Sequence, residues 1–290
     1  MPNATPSTYL QRYLAGDCDR VWYELFLLGK EVHADGTFDD AWAVALETMR
    51  RVRANAETVH RRLCEIGYPF ANPNRACPTP VDGVSEAIAR FEAGVGRLPL
   101  SLRAFFEVVG TVDWTQDRTQ PLPEAIFALG DLDPLLIVSF DDLLAQYLWE
   151  RRPRRISPWS RLLPRWFAVP TRTVDKFEFC VSTDEETKGG YGGVGPISIL
   201  IPDARVDAPV LFEGGQMAFP SEKEIGSHPP EIRLIGPDPF HPSGVVELWT
   251  FVTYLRKTFD AGGFLSLLHQ QVEPEVQELR GLLNAGLVRF

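Results

Sequence analysis

The feature that most constrains the fold is a short helical segment that is apolar on nearly every side. In the stretch RLPLSLRAFFEVVGTVDW, residues 97–114, Pro99 stands at the first turn of a predicted helix and Gly110 at its exit, positions that these two residues favour. A helix that is apolar all round is buried, and this one is far too short to span a bilayer. The sequence therefore predicts a core helix with the apolar residues Leu100, Leu102, Phe105, Phe106, Val108 and Val109.

The first 70 residues predict a helical segment, which a proline-rich linker follows. Asp19 is expected to cap a helix through RVWYELFLLGKEV, and a longer helix is expected from Asp39 or Asp40 to a C-terminal Gly67. Apolar residues recur at steps of three and four along the longer helix, which indicates one buried face. The segment ANPNRACPTPVDG, residues 71–83, contains three prolines and is the best linker candidate in the chain.

Five arginines of the longer helix raise the question of a nucleic-acid-binding patch. They lie mostly off the apolar face, and Glu47, Glu57 and Glu65 dilute their charge. We interpret them as a solvated face whose charges favour the C-terminal half of the helix dipole. The five are Arg50, Arg51, Arg53, Arg61 and Arg62.

Beyond residue 83 the sequence mixes helical and strand patterns. Short helices are predicted over 84–95 and after Pro99, and FDDLLAQYLWERR predicts a third that starts at Asp141 or Asp142. The runs RWFAV, KFEFCVS, ISILIP and APVLF have the composition of strands, and helical spacing returns in ELWTFVTYLRKTF and near the C-terminus. This order predicts an α+β fold, with a mixed or mainly antiparallel sheet packed against several helices and a helical N-terminal segment before it. The predicted divisions are residues 1–70, the linker 71–83 and an α+β domain over 84–290.

Composition limits the environment and the partners that we expect. The net charge is −10 and the pI is about 5.1, which argues against nucleic acid as the main partner. The four cysteines form no C-x-x-C pair, so reduced thiols are expected. The first residues lack the pattern of a secretion signal, and no window has the roughly 20 apolar residues of a membrane span. We therefore expect a cytoplasmic protein that does not use a membrane.

The sequence contains few candidates for catalytic or cofactor-binding motifs. Gly190, Gly192 and Gly195 match G-x-G-x-x-G, but a strand follows them where a dinucleotide site needs a helix. The five histidines have no metal-ligand spacing, and no G-x-S-x-G motif is present. We therefore predict a non-enzyme without catalytic, cofactor-binding or metal-binding residues. A carboxylate site assembled in space, as an enzyme would need, is left open.

A second segment, WERRPRRISPWSRLLPRW at 149–166, interleaves six arginines with three tryptophans. Arginine and tryptophan are enriched in the hot spots of protein interfaces, and they also suit phosphate contact and base stacking. The plainer interpretation is a proline-bent connection whose tryptophans anchor it to the core. As an alternative partner-binding site we name Arg151, Arg152, Arg154, Arg155 and Trp159.

The region around the core helix also resembles a known family. SEAIARFEAGVGRLPLSLRAFFEVVGTVDW is similar to the signature of the SUKH superfamily, the Smi/Knr-like domains, and VSFDDLLAQYLWE and VELWTFVTYLRKTF resemble later passages of the same domain. The helical segment 1–70 is no part of that family's core pattern. The residues that match the signature are Glu92, Leu98, Pro99, Phe105, Phe106 and Gly110.

The resemblance implies an α+β fold, binding rather than catalysis, and no cofactor. Many bacterial members look like immunity proteins that neutralise toxins, so we expect a protein that masks a cognate toxin. The alternative is a scaffold or regulatory protein that binds cellular partners through both the helical segment and the α+β domain. An acidic surface would speed association with a basic partner, and Trp114 is a candidate aromatic anchor. The candidate partner-binding residues are Asp113, Trp114, Asp117, Asp131, Asp133, Asp184, Glu185 and Glu186.

Overall fold

The computed structural model of the chain describes residues 8–34, 36–117, 119–121, 134–151, 177–182, 197–212, 249–264 and 274–290. Within these ranges the helices are α1 (Tyr9–Leu14), α2 (Cys18–Leu28), α3 (Phe38–Glu65), α4 (Pro73–Ala76), α5 (Val84–Val95), α6 (Leu100–Val108), α7 (Phe140–Glu150), α8 (Phe251–Asp260) and α9 (Pro274–Asn284). The strands are β1 (Val112–Asp113), β2 (Leu136–Ile137), β3 (Phe177–Ser182), β4 (Ile197–Ile201) and β5 (Val210–Phe212).

The N-terminal segment is helical, as predicted, but its second helix is shorter than expected. Asp17, not Asp19, occupies the N-cap of α2, and Gly29 ends that helix with a φ of 54°. Residues other than glycine rarely adopt this backbone conformation, whereas glycine adopts it readily. The chain continues as a 3-10 helix, Gly29–His33, so the apolar pattern that ran through the glycine spans two elements.

The long helix α3 joins the N-terminal segment to the rest of the fold. Its bounds agree with the prediction, and its apolar stripe is buried from Val44 to Leu63. The Asp40 carboxylate accepts hydrogen bonds from the backbone N–H groups of Tyr9 (2.6 Å) and Leu10 (3.1 Å), which fixes α1 on α3. Helix α3 packs against α6. Residues 1–70 therefore share one core with the predicted α+β domain.

Three of the five arginines on α3 are only partly solvated, so the prediction of a solvated face holds for them only in part. Arg50 and Arg61 are exposed as expected, but the other three donate hydrogen bonds to backbone carbonyls that have no partner in a helix or strand. Bonds from charged donors to carbonyls are stronger than neutral ones. The pairs are Arg51 with Arg289, Arg53 with Val109, and Arg62 with Leu283 and Ala285.

The predicted linker is held against the fold at several points. It contains the short helix α4, whose Ala76 is buried. The Ala71 N–H donates to the Thr115 carbonyl at 2.8 Å, and Arg75 pairs with Asp142 at 2.6 Å. Proline-rich sequence therefore marks an ordered connection here, because backbone and side-chain bonds hold it on both sides.

Helices α5 and α6 form the centre of the core, at the bounds that the sequence predicts. Ile88 and Phe91 of α5 are buried, and α6 buries its apolar residues on several sides. Phe106 contacts the rings of Phe140 and Phe179 at centroid distances of 5.6 and 6.1 Å. Aromatic pairs at such spacings add to the free energy of burial.

The strands form two small antiparallel sheets, β1-β2 and β3-β4-β5. A hydrogen bond from the Val138 N–H to the Val181 carbonyl, at 3.3 Å, connects them. Ser139 caps α7 in a capping box with Asp142, so the helix begins just before the predicted aspartates. The fold is α+β, with antiparallel strands packed against several helices and a helical N-terminal segment, as the sequence predicts.

The C-terminal residues return to α3. Helices α8 and α9 are present where helical spacing predicts them, and the tail Leu287–Phe290 lies along α3 and α8. Asn55 of α3 makes two bonds with the Val288 backbone, of 2.8 and 2.7 Å, and Phe290 is buried. Among the helices of the described ranges, none combines the length and the apolar character that crossing a bilayer requires.

Candidate functional site

The first two predicted partner-binding residues lie inside the fold. Trp114 is fully buried, and its ring lies so close to Gly263 that a Cβ on that glycine would be 2.4 Å from Cζ3. Asp113 is also buried, and its carboxylate accepts bonds from the N–H (3.2 Å) and the hydroxyl (2.5 Å) of Thr115. Since a partner can reach neither side chain, the prediction of Trp114 as a surface anchor and of Asp113 as a surface acid is wrong.

Asp117 is the acidic candidate that remains partly exposed. Its carboxylate accepts bonds from the N–H (3.0 Å) and the hydroxyl (2.6 Å) of Thr119 and from the Gln120 amide (2.7 Å). These bonds favour the charged form and lower the pKa of Asp117. Asp117 therefore carries a negative charge at neutral pH on an ordered turn, and its role toward a partner stays a prediction.

The other predicted residues lie mostly outside the described ranges. This holds for the acidic candidates, for the glycine motif and for all but one residue of the alternative arginine site. They are Asp131, Asp133, Asp184, Glu185, Glu186, Gly190, Gly192, Gly195, Arg152, Arg154, Arg155 and Trp159.

The end of α7, where the arginine-rich segment begins, presents an apolar surface. Trp149 is 68% exposed and Leu148 is 55% exposed. The Arg151 guanidinium lies over the Tyr147 ring at 4.7 Å, a distance at which cation–π attraction is significant. We call Leu148, Trp149 and Arg151 the α7-end surface.

This surface stands on a helix that the core holds firmly. The Tyr147 ring is buried against Phe91 (5.3 Å between centroids) and Phe177 (5.7 Å), and Leu143 is fully buried one turn earlier. A large exposed aromatic on a fixed helix loses little conformational entropy when a partner covers it. Trp149 belongs to the arginine-rich segment of the sequence, but composition does not predict whether its side chain is exposed.

The residues of the SUKH-like signature have structural roles. The Glu92 carboxylate accepts a bond from the Leu98 N–H at 2.9 Å and pairs with Arg103 at 3.2 Å, so it closes the turn between α5 and α6. Gly110 has a φ of 86°, and a Cβ there would be 3.3 Å from the Cα of Pro80. The signature is therefore explained by a tight turn and by close packing.

A cleft of about 450 Å³ opens beside Glu92 and Arg103, between the 3-10 helix, the start of α3 and the α5–α6 turn. Arg103 is fixed in its wall, since it pairs with Glu107 at 3.0 Å and lies 5.1 Å from the Trp42 ring centroid. We call it the His33 cleft. Its ionisable and aromatic lining residues are His33, Phe38, Asp39, Glu92, Arg97 and Arg103.

His33 has one satisfied and one unsatisfied ring nitrogen. Nε2 donates to the Ala204 carbonyl at 2.9 Å, because a carbonyl can only accept. Burial, and then the charge of Arg97, lower the pKa of His33, which favours the neutral ring. Nδ1 is then an acceptor, and it is buried without a hydrogen-bond partner among the described residues. Nothing in the sequence around His33 signals this cleft.

A buried acid, Asp207, lies elsewhere in the core. Its carboxylate accepts bonds from the Ser101 hydroxyl (2.6 Å) and the Val252 N–H (3.2 Å), and so connects the start of α6 with the start of α8. Burial raises its pKa to about 6, although the hydrogen bonds from Ser101, Thr250 and Val252 act in the opposite direction. Because both carboxylate oxygens serve these internal bonds, the position is structural.

Two findings complete the description of the site. In the part of the chain that the structure describes, no group of three or more His, Cys, Asp or Glu side chains is placed to hold a metal ion. No family model, no curated protein and no solved structure matches the chain.

Proposed function

We propose that this chain is a non-enzymatic binding protein, and that its partner is a toxin protein that it masks. One observation carries the proposal: the last turn of α7, a helix that the core holds in place, exposes both Trp149 and Leu148. Large exposed apolar side chains, tryptophan above all, are enriched at sites of protein contact. The resemblance to the SUKH superfamily supports the toxin as the kind of partner.

The chemistry of the α7-end surface suits the centre of a protein interface. Tryptophan and arginine dominate hot spots, and a surrounding ring of weaker contacts excludes water from them. A stable complex of this kind buries on the order of 800 Å² on each partner. Trp149 and Leu148 would anchor such an interface, and the neighbouring surface would supply the rest of the buried area. Arg151, already stacked on Tyr147, is oriented before the partner arrives.

The net negative charge of the chain would act before the interface forms, while the two proteins approach each other by diffusion. With a net charge of −10, the protein attracts a basic partner during diffusion, which raises the association rate at low salt. Asp117, together with Asp131, Asp133, Asp184, Glu185 and Glu186, stays a prediction for this steering role. Asp113 does not contribute at the surface, because it is buried.

The test is an affinity capture of partners from the native host with the full chain, identified by mass spectrometry. We compare the unchanged protein with Leu148→Ala/Trp149→Ala, and with Leu282→Ala as a control for loss of an equally exposed leucine (50%) elsewhere. The proposal predicts one stoichiometric partner with a toxin domain, lost only in the double variant. Capture of no partner, or equal capture by all three proteins, contradicts it.

A scaffold or regulatory role is the second candidate, and exposed leucines in the N-terminal helices favour it. Leu14 is 56% exposed and Leu27 is 47% exposed, so the helical segment has contact residues of its own. Deleting this segment is a poor test, since α3 shares the core with α6. Leu14→Ala/Leu27→Ala leaves the core intact, and the loss of several sub-stoichiometric partners in that variant would favour the scaffold over the mask.

A further inference from the structure

We propose that the C-terminal tail Leu287–Phe290 is a detachable segment that occupies a peptide-binding groove between α2, α3 and α8. In place of the tail, the groove takes a peptide segment of a partner protein in which a basic residue directly precedes an aromatic one. This inference goes beyond the masking role and does not depend on it, because the groove and the α7-end surface share no residue. We call it the tail groove, and its residues are Asp19, Arg51, Asn55, Arg256 and Phe259.

The first support is that side chains of the groove hold the main chain of the tail, which lies outside any helix or strand. The Asn55 amide donates to the Val288 carbonyl at 2.8 Å and accepts from the Val288 N–H at 2.7 Å. The Arg51 guanidinium donates to the Arg289 carbonyl at 3.0 Å. Bonds to the main chain of an extended peptide supply affinity whatever its sequence. The same groove side chains can therefore hold a partner segment in the same way.

The second support is that two tail side chains define a sequence preference. Phe290 is buried, with its ring 6.0 Å from the Phe259 ring and 5.9 Å from the Arg256 guanidinium. The Arg289 side chain is 72% exposed and pairs with Asp19 at the rim of the groove. Pockets for particular side chains give a peptide site its specificity. An enclosed aromatic side chain after an ion-paired cation therefore indicates the preferred pair, a basic residue followed by an aromatic one.

The third support is a boundary at which the tail can detach without the preceding helix. Gly286 lies directly before the tail with a φ of 65°, and nothing lies within 4 Å of a Cβ there. Upstream of it, Arg62 donates to the carbonyls of Leu283 (2.8 Å) and Ala285 (2.7 Å), so the end of α9 stays attached to α3. Within the tail only Phe290 is buried. Detachment therefore exposes one large apolar side chain, which an aromatic residue of a partner can replace.

The experiment measures the binding of a labelled peptide to full-length chains by fluorescence polarisation. The peptide has the sequence of residues 284–290 and an amidated end. Phe290→Ala removes the aromatic anchor of the chain's own tail, and Arg289→Glu places a second negative charge beside Asp19. Since tail and peptide compete for one site, the apparent dissociation constant falls as the tail leaves the groove. Compared with the unchanged protein, we expect the peptide to bind at least about tenfold more tightly to Phe290→Ala and roughly threefold more tightly to Arg289→Glu.

Matched changes in the peptide and in the groove assign the contacts. A peptide with alanine in place of its phenylalanine should bind at least about tenfold more weakly. Added to Phe290→Ala, Asn55→Ala should weaken peptide binding by at least about tenfold. Added to the same variant, Arg50→Ala, on the exposed face of α3, should leave peptide binding unchanged. Leu148→Ala/Trp149→Ala should leave it unchanged as well, which separates the tail groove from the α7-end surface.

Three results overturn the proposal. The first is no binding to Phe290→Ala up to about 1 mM peptide, and the second is equal affinity for that variant and the unchanged protein. The third is a Phe290→Ala chain that does not fold, since the tail would then be part of the core. The peptide test uses no partner protein, so its failure does not bear on the masking role, and a failed partner capture does not bear on the tail groove.

Discussion

At the scale of single residues, buried polar groups hold distant segments of the chain together. Asp207 lies 106 positions from Ser101 and 45 positions from Val252 in sequence, and since both donate to its carboxylate it connects the starts of α6 and α8. Asn55 likewise connects α3 with the C-terminal tail through its two bonds to the Val288 backbone. A buried polar group stabilises only while its partners are in place, so such residues make the core specific as well as stable.

The raised pKa of Asp207 makes folding stability depend on pH. The folded state holds this proton more tightly than the unfolded chain, since the folded pKa is about 6 and the unfolded value about 3.9. The contribution is therefore fully present below about pH 4 and is lost as the pH rises through about 6. Asp207→Asn removes this titrating group. The free energy of unfolding of the variant, relative to that of the unchanged protein, should therefore increase as the pH rises from 4 to 7.5, by up to roughly 3 kcal/mol.

Urea unfolding at a series of pH values measures this difference directly. The comparison between the two proteins is needed because acids with lowered pKa values, such as Glu24 and Asp142, impose the opposite slope on both. A stability difference that stays constant from pH 4 to pH 7.5 would mean that Asp207 titrates normally.

Two glycines that sequence cannot tell apart should respond oppositely to the same substitution. Gly263 has a φ of 95°, and its Cβ would overlap the Trp114 ring, so Gly263→Ala should cost about 2–4 kcal/mol through backbone strain and overpacking. Gly94 lies in α5 with nothing within 4 Å of a Cβ. Gly94→Ala should therefore stabilise by about 0.5–1 kcal/mol. Thermal unfolding of both variants checks the pair, and a neutral Gly263→Ala would contradict the packing around Trp114.

At the scale of elements, periodicity predicted the helices well and their surroundings poorly. Spacing alone gave α5 its bounds and the buried stripe of α3, because both depend on local pattern. It missed the break at Gly29, where apolar residues continue across two elements. It also treated Arg62 as solvated, since the carbonyls of Leu283 and Ala285 that it binds lie more than 200 positions away in sequence.

The C-terminal tail is the element whose attachment depends most clearly on one side chain. Asn55→Ala removes both bonds to Val288, and it should cost about 1–3 kcal/mol because Asn55 is buried and the contact that it makes is partly buried. Hydrogen exchange at the Val288 amide should speed up more than exchange in α6. Arg50→Ala, on the exposed face of the same helix, is the control. Unchanged exchange at Val288 would show that the other contacts of the tail, among them the Arg51 bond to Arg289 and the burial of Phe290, hold it without Asn55.

At the scale of the whole molecule, one core covers both the N-terminal helices and the α+β part. Trp114 illustrates why the candidate site was only partly predictable: an aromatic next to an aspartate suggests a surface anchor, yet folding buries it under Gly263. Trp149 carries the same chemistry in sequence and is exposed. Exposure depends on the packing of the whole chain, so composition could nominate both tryptophans but could not choose between them.

The affinity of the full chain for its captured partner, measured with and without the Trp149 side chain, tests whether the α7-end surface is the binding site. Calorimetric titration of the unchanged protein, Trp149→Ala and Leu282→Ala uses one partner preparation for all three. We expect a dissociation constant raised roughly 10- to 100-fold in Trp149→Ala, as for an interface hot spot, and no change in Leu282→Ala. An unchanged affinity in Trp149→Ala would contradict the assignment of the α7-end surface as the binding site.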